Sequence, residues 1–238
     1  MLNFLGIGAQ KCGTTWLYDS LAMHPHIRFP AGKEIHYWNR PQGRSIDWYV
    51  TLFKDNSQIN GDITPAYAFL PKSTIGIIHS NLPDLRLIYL IRNPIERAWS
   101  SARMALALSE MLHEEASDQW FIDHFKSAGS LLRGDYETCL RQWRSFYHSD
   151  QLLVIRYDDV VRDPVGVINR CLSHLGIERH FEEQDCAKLS QPVFQGDGVP
   201  LRPSLHRELL KIYSDRLLSL SQYLEEDISS WNCAHQQL

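Results

Sequence analysis

The chain has 238 residues, of which 44% are hydrophobic, and a formal net charge of −4 at neutral pH. This is enough for one large α/β domain with a full core, and no linker rich in Pro, Gly or Ser divides the chain, so we predict a single domain over residues 1–238. The acidic balance argues against nucleic acid as the main partner. The sequence has no apolar run of 18 residues or more, which argues against a membrane span.

The five cysteines are scattered and form no C-x-x-C pair, so neither a disulfide framework nor a zinc site is indicated. The first predicted strand, Phe4 to Ile7, begins within a few residues of Met1, and we therefore expect no signal peptide. Together these features predict a cytoplasmic protein of a reducing compartment. Its oligomeric state is left open.

The stretch F-L-G-I-G-A-Q-K-C-G-T-T-W-L, near the start of the chain, is the most informative one. Phe4 to Ile7 predicts a buried strand, Gly8 and Gly13 bound a loop, and Thr14 opens a helix. A loop between a buried strand and a helix N-terminus presents unpaired backbone N–H groups and the positive end of the helix dipole. We therefore predict an anion site here, with a phosphate as the anion.

The two glycines have the spacing of the phosphate-binding loop G-x-x-x-x-G-K-[ST], but Lys11 precedes the second glycine instead of following it. This argues against a standard ATP loop. The alternative is a strand-to-helix turn whose glycines only permit tight packing, which would leave the lysine inside the loop without a role.

The segment Glu34 to Trp38 is predicted to be a short extended piece. Because side chains alternate along a strand, Glu34 and His36 would then project to the same side as a possible acid/base pair. The alternative is a solvated edge beside packing residues. Asp62, in the segment G-D-I-T-P-A-Y, either serves the site or caps the turn before Pro65.

Hydrophobic periodicity and breaker residues predict the remaining elements. Helices are predicted at 14–23, 45–53, 71–81, 94–110, 117–125, 135–147, 164–175 and 204–225, and further strands at 58–63, 85–91 and 151–156. The irregular stretch 185–203 is long for a loop in a compact domain and is therefore a candidate for a functional role.

The apolar run Leu85 to Ile91 predicts a central parallel strand that ends at Arg92, where a phosphate-loop nucleotidase would be expected to carry an aspartate that supports Mg²⁺. A guanidinium suits bidentate binding of a second phosphate, although Arg92 could instead pair with a carboxylate at the edge of the core. Together with the altered loop, this position argues against ATP hydrolysis and favours a nucleotide with two separated phosphate groups.

Five segments occur in a fixed order over nearly the whole chain: G-A-Q-K-C-G-T-T-W-L, K-E-I-H-Y-W, G-D-I-T-P-A-Y, L-I-Y-L-I-R-N-P-I-E-R-A-W-S-S and L-L-V-I-R-Y-D-D-V-V-R-D-P. Together they resemble the sulfotransferases that use 3′-phosphoadenosine 5′-phosphosulfate (PAPS). The pattern is most similar to the branch that contains the heparan sulfate sulfotransferases and their bacterial relatives. The resemblance implies a three-layer, P-loop-like α/β fold around a central parallel sheet.

The resemblance also implies the site. Lys11 would meet the bridging oxygen of the phosphosulfate, Glu34 would be the general base, and His36 is the reserve candidate for that base. Arg92 and Ser100 match the pair that holds the 3′-phosphate. The implied donor-binding residues are Gln10, Lys11, Cys12, Gly13, Thr14, Thr15, Trp16, Arg92, Ser100, Tyr157, Phe194, Gln195, Gly196 and Arg202.

The expected function is transfer of the sulfuryl group from PAPS to a hydroxyl of a small molecule, lipid or sugar, without a metal. Adenosine 3′,5′-bisphosphate (PAP) would be the product. A small-molecule kinase and a catalytically silent nucleotide-binding module are the two alternatives. The chain departs from the heparan-type pattern in having Ile63 after Asp62, where a lysine often stands, and in lacking a K-x-K-G segment in the late loop. The acceptor is not identified by the sequence.

Overall fold

A computed structural model describes residues 1–55, 57–178, 181, 186–189 and 198–232. Within these residues, five strands form one parallel sheet in the order β2-β3-β1-β4-β5. The strands are Leu2–Gly8 (β1), Ile27–Arg28 (β2), Ile59–Ile63 (β3), Arg86–Ile91 (β4) and Leu152–Arg156 (β5). The central strands are buried on both faces, which is why β1 and β4 are almost continuously apolar in sequence.

The helices follow the predicted pattern, with ends that move by a few residues. They are Thr14–Ala22 (α1), Ile46–Thr51 (α2), Lys72–Asn81 (α3), Pro94–Leu108 (α4), Asp118–Lys126 (α5), Ala128–Arg133 (α6), Tyr136–Arg144 (α7), Tyr157–Arg162 (α8), Pro164–His174 (α9), Cys186–Leu189 (α10) and Pro203–Leu224 (α11). The two-residue strand β2 and the short helices α6, α8 and α10 were not predicted, because so few residues carry no periodic signal. Across the described ranges, no helix is both long and apolar enough to cross a membrane.

Helices flank both faces of the sheet, which confirms the predicted three-layer, P-loop-like α/β fold. From β1 the chain crosses through α1 to β2 at one edge, and from β3 it crosses through α3 towards the other edge. Right-handed crossovers in opposite directions place α1 and α3 on opposite faces. Consistently, α1 packs with α9, whereas Gly76 of α3 packs against the ring of Phe146, just after α7.

The chain forms two compact units. The first comprises Met1–Ile91 with Cys139–Val193 and contains the sheet; the second comprises Arg92–Thr138 with Phe194–Leu238. In the second unit the guanidinium of Arg97 on α4 is fully buried and donates through Nη2 to the carbonyl of Ser130 (3.0 Å) and to the hydroxyl of Tyr213 (3.3 Å). These bonds tie α4 to α6 and α11. The single domain over residues 1–238 stays a prediction.

Asp62, near the end of β3, is a fully buried carboxylate that joins three segments of the first unit. Tyr49 of α2 and Tyr67 of the 3-10 turn after β3 each donate a hydroxyl hydrogen bond to Oδ2 at 2.9 Å, and Thr64 donates to Oδ1 at 2.7 Å. Burial raises the pKa of Asp62, and the three hydroxyl donors oppose that rise. These contacts favour the structural role for Asp62 over a direct role in the site.

We expect Asp62→Asn to lower the free energy of unfolding by about 2–3 kcal/mol, because the amide nitrogen cannot accept a hydrogen bond and at least one of the three buried hydroxyl donors loses its acceptor. The folded state raises the pKa of Asp62 above its ordinary value of 3.8, so it binds this proton more tightly than the unfolded chain. The contribution of Asp62 is therefore greatest in acid and decreases as the pH rises through the raised pKa. Urea unfolding at several pH values from 4 to 7 should show a larger loss at the acid end.

Asp84→Asn is the control, since Asp84 is exposed in the turn before β4. It should leave stability nearly unchanged at every pH. A loss in Asp62→Asn that is independent of pH, or no larger than that of the control, would contradict the assignment.

Candidate active site

The loop after β1 begins in a place where only glycine fits. A Cβ on Gly8 would lie 2.9 Å from the carbonyl oxygen of Pro65 and 3.0 Å from the Cβ of Ala68, and Gly8 has a φ of 148°. The next residue is tied to the neighbouring strand, since the amide of Ala9 donates to the carbonyl of Leu90 on β4 (2.7 Å). The loop therefore starts in a fixed position at the carboxyl edge of the sheet.

The loop itself is a tight turn into α1. The amide of Cys12 donates back to the carbonyl of Ala9 (3.2 Å), and Lys11 between them adopts the left-handed region with a φ of 68°. Gly13, with a φ of 93°, caps α1 and has no side chain to accept from the first turn. The amides of that turn have no partner inside the helix and lie at the positive end of the helix dipole, which is the geometry that an anion site at this loop requires. The anion itself stays a prediction.

The predicted donor-binding residues of the loop differ in how far their side chains are exposed to solvent. Cys12 and Thr14 are buried, whereas Gln10, Lys11 and Thr15 are half-buried and keep solvent access. The indole N–H of Trp16 donates to the carbonyl of Leu189 on α10 (3.0 Å), so this buried ring is anchored by a contact that the sequence did not indicate.

Tyr157, the first residue of α8, lies against the loop. A Cβ on Gly13 would come within 3.0 Å of the Tyr157 ring, so both the positive φ and the lack of space require glycine there. The structure thus brings together Tyr157 and the loop, two features separated by more than half of the chain.

The prediction that Glu34 to Trp38 is extended is wrong. Glu34 and His36 have left-handed φ values of 62° and 59°, and residues 37–39 form a turn. The amide of Glu34 donates to the carbonyl of Ile63 at the end of β3 (3.0 Å), which places the segment beside the sheet edge without making it a strand.

The side chains of Glu34 and His36 nevertheless lie close together, because of their left-handed backbone and not because of an extended one. Nε2 of His36 lies 3.3 Å from Oε2 of Glu34, and Nζ of Lys33 forms an ion pair with Oε1 of the same carboxylate. Nδ1 of His36 lies 3.2 Å from Oδ1 of Asn39. Sequence reasoning missed Lys33 and Asn39, because consecutive side chains of an extended piece would point to opposite faces.

Backbone strain is concentrated at the predicted catalytic residues. In the described part of the chain, six non-glycine residues have a positive φ, and three of them are Lys11, Glu34 and His36. For residues with a Cβ this conformation costs free energy and persists only where the surroundings impose it. Such outliers are typical of functional sites.

Three further predicted donor residues lie in the second unit. Arg92 pairs with Glu96 through Nε (2.9 Å) and Nη2 (2.8 Å), and Ser100 is half-buried on α4. Arg202 forms an ion pair with Asp118 (2.7 Å) and donates to the carbonyl of His113. These bonds give Arg202 a structural role at the start of α11, whereas its donor contact stays a prediction.

The predicted donor residues Phe194, Gln195 and Gly196 lie outside the described residues. Within the ranges that are described, no group of three or more His, Cys, Asp or Glu side chains is arranged to hold a metal ion.

Comparison with known proteins gives a consistent result. The Sulfotransferase domain family matches residues 3–197. Heparan sulfate glucosamine 3-O-sulfotransferase 6 of Homo sapiens is 30% identical over 178 residues, which cover 73% of this chain and 52% of the relative. Heparan sulfate glucosamine 3-O-sulfotransferase 3B1 of Mus musculus is 30% identical over 236 residues, which cover 88% of this chain and 58% of the relative. The chain thus spans a little over half the length of these relatives.

Solved structures agree. A sulfotransferase from Alicyclobacillus acidocaldarius superposes with a TM-score of 0.74 at 25% identity and covers 98% of this chain and 99% of that one. Mouse sulfotransferase SULT7A1, solved in complex with PAP, has a TM-score of 0.62 at 15% identity over 94% of this chain and 88% of that one, and shares the fold. The match over most of the chain, on the fold and loop described above, shows that this protein belongs to the sulfotransferase family.

Proposed function

We propose that this chain transfers the sulfuryl group of PAPS to an acceptor hydroxyl in one in-line step, with Lys11 and Glu34 as its catalytic residues. The observation that supports this best is the loop after β1, where a lysine lies inside the turn at a φ of 68° and an uncapped helix follows at once. A lysine at this point of the loop can stabilise the negative charge that develops at the bridging oxygen between the phosphate and the sulfuryl group.

The residues of the loop fit the donor's 5′-phosphosulfate. Uncapped amides at the start of α1 supply hydrogen-bond donors to the oxygens of this group. The ring of Tyr157 beside Gly13 is proposed to pack on the adenine side. Arg92 and Ser100 are proposed, from the family resemblance, as ligands of the 3′-phosphate.

When bound, PAPS supplies an activated sulfuryl group whose transfer, like phosphoryl transfer, depends on positioning and electrostatics. Lys11 stabilises the negative charge that grows on the leaving phosphate as its bond to sulfur breaks. A lysine suits this role because its ammonium is a compact charge on a flexible stem. No metal is assigned a role in this proposal.

Glu34 takes the proton of the acceptor hydroxyl as the new oxygen–sulfur bond forms. Its carboxylate is partly exposed and is held by Lys33 on one oxygen and His36 on the other, so its direction is fixed before an acceptor arrives. General base catalysis of this kind contributes roughly 10²–10⁴-fold. His36 is the alternative base.

The acceptor is proposed to be a hydroxyl of a small molecule, lipid or sugar. The relatives named above act on a heparan sulfate glucosamine, and a saccharide hydroxyl is therefore the first acceptor class to test. A cytoplasmic location is also part of the proposal, in keeping with the scattered cysteines of the sequence, which form no C-x-x-C pair.

The first experiment measures thermal stabilisation by PAP and by ATP with Mg²⁺. We expect PAP to raise the melting temperature by an amount that increases with the PAP concentration, because PAP binds the folded state. ATP with Mg²⁺ should change the melting temperature little. It is followed by transfer of ³⁵S-labelled sulfate from PAPS to a panel of saccharides, lipids and small alcohols. Stabilisation by ATP with Mg²⁺ but not by PAP would favour a kinase, and PAP binding without transfer to any acceptor would favour a silent module.

Lys11→Ala should lower kcat for sulfate transfer by about 100-fold or more, because it removes a charge that acts where the leaving group becomes negative. The measurement is the rate of ³⁵S transfer under saturating PAPS. Lys72→Ala, at the exposed first residue of α3, is the matched control and should keep wild-type turnover. Unchanged turnover in Lys11→Ala would refute the mechanism.

Glu34→Gln should lower kcat by about 100-fold or more, while the affinity for PAP, measured by calorimetry, stays within a few-fold of wild type. Glu225→Gln is a matched control, because Glu225 also adopts a left-handed conformation, with a φ of 56°, at the end of α11. Loss of PAP binding in Glu34→Gln would instead assign Glu34 to the structure of the donor site.

A further inference from the structure

Glu96 on α4 is a carboxylate to which the proposed mechanism gives no role, although it contacts a proposed donor-binding residue. Its Oε2 atom accepts from both Nε (2.9 Å) and Nη2 (2.8 Å) of Arg92. Both side chains are mostly shielded from solvent, since 23% of Arg92 and 29% of Glu96 is exposed. One carboxylate oxygen thus lies between two N–H groups on one edge of the guanidinium, and this charge-assisted contact fixes the plane of the group.

The main chain next to Arg92 is also held in place. Asn93 is buried and caps α4, because its Oδ1 atom accepts from the amide of Ile95 (3.0 Å). Its Nδ2 atom donates to the carbonyl of Trp231 (2.9 Å), which belongs to the same unit. Arg92 is therefore held at both ends, by the anchored backbone of its neighbour and by the contact of its guanidinium with Glu96.

We propose that Glu96 is a positioning residue of the 3′-phosphate site, which holds the Arg92 guanidinium so that the edge carrying Nη1 faces the phosphate. This inference rests on the proposed function, in which Arg92 and Ser100 bind that phosphate. Glu96 and Ser100 are four residues apart on α4 and therefore lie on the same face of the helix. The carboxylate thus lies between the two proposed ligands.

Glu96 affects phosphate binding in two ways that have opposite signs. Its negative charge repels the phosphate, although solvent screens this repulsion at a partly exposed site. Its contact with Arg92 orders the long arginine side chain before the phosphate arrives, so less rotamer freedom is lost on binding. The cost of immobilising one such side chain weakens binding by up to about tenfold. A loss of affinity on removal of Glu96 therefore indicates positioning, whereas a gain indicates repulsion.

The test compares the affinity of the full chain for PAP and for adenosine 5′-monophosphate (AMP), which lacks the 3′-phosphate. Calorimetry gives both dissociation constants, and the ratio of the AMP constant to the PAP constant measures recognition of that phosphate. We expect Glu96→Ala to reduce this ratio by about tenfold, through weaker PAP binding. Glu96→Gln should retain most of the ratio, because an amide oxygen can still accept from both N–H groups of Arg92.

Glu208→Ala is the matched control, because Glu208 also forms an ion pair on a helix of the second unit, with Lys211 on α11 (2.6 Å). It should leave the ratio unchanged.

A double-mutant cycle with Arg92→Ala tests whether Glu96 acts through Arg92. Arg92→Ala alone should reduce the ratio by about tenfold or more, and the addition of Glu96→Ala should not reduce it further. A helix that is merely destabilised by the loss of a carboxylate from its first turn would weaken PAP and AMP binding alike, with or without Arg92.

Three results would each overturn the role of Glu96 while Arg92 stays a phosphate ligand. They are a Glu96→Ala ratio that equals or exceeds that of the wild type, a Glu96→Gln ratio as low as that of Glu96→Ala, and a further decrease in the Arg92→Ala background. An unchanged ratio in Arg92→Ala would instead refute the proposed 3′-phosphate contact, and the role of Glu96 with it. A failure of this inference alone is thus distinguished from a failure of the proposed function.

Discussion

Parallel pairing of β1 with β3 on one side and β4 on the other places every feature of the candidate site in the first unit at one edge of the sheet. The loop leaves the carboxyl end of β1, the Glu34 segment is held by the last carbonyl of β3, and Tyr157 follows β5 directly. Close approach of the strands sets this arrangement: a Cβ on Gly6 would lie 2.7 Å from the Ile63 side chain, and one on Gly61 would lie 2.1 Å from the Phe4 ring. Gly6 and Gly61 therefore allow the strands to pack closely enough to position the site.

The strands and the loop could be predicted because their signals are local. Continuous apolar runs predict buried parallel strands, and two glycines that flank a lysine before a helix predict an anion site. The Glu34 segment shows the limit of this reasoning. Side chains two residues apart lie on the same side in a strand, but two left-handed residues also bring them together, and the sequence does not distinguish the two conformations.

Contacts that depend on a reversal of the chain could not be predicted. Lys33 and Asn39 meet Glu34 and His36 only because the backbone turns at positive φ, and Trp16 finds its partner Leu189 far along the chain. The Arg92–Glu96 pair, by contrast, has helical spacing and is visible in the sequence once α4 is placed. The ion pair of Arg202 with Asp118 joins segments more than eighty residues apart, and no local pattern announces it.

The strand order also determines how this protein folds. Leu2 pairs with Asn60, Phe4 with Arg86, and Leu87 with Leu152, so no central strand can form its ladder with a neighbour close in sequence. Closing these long loops costs conformational entropy before the strand pairs stabilise the sheet. We therefore expect this chain to fold slowly relative to proteins rich in local contacts. During synthesis, the apolar β1 segment has no partner strand until β3 has been made. The central strand that carries the phosphate loop is thus also the segment most exposed to aggregation before the sheet closes.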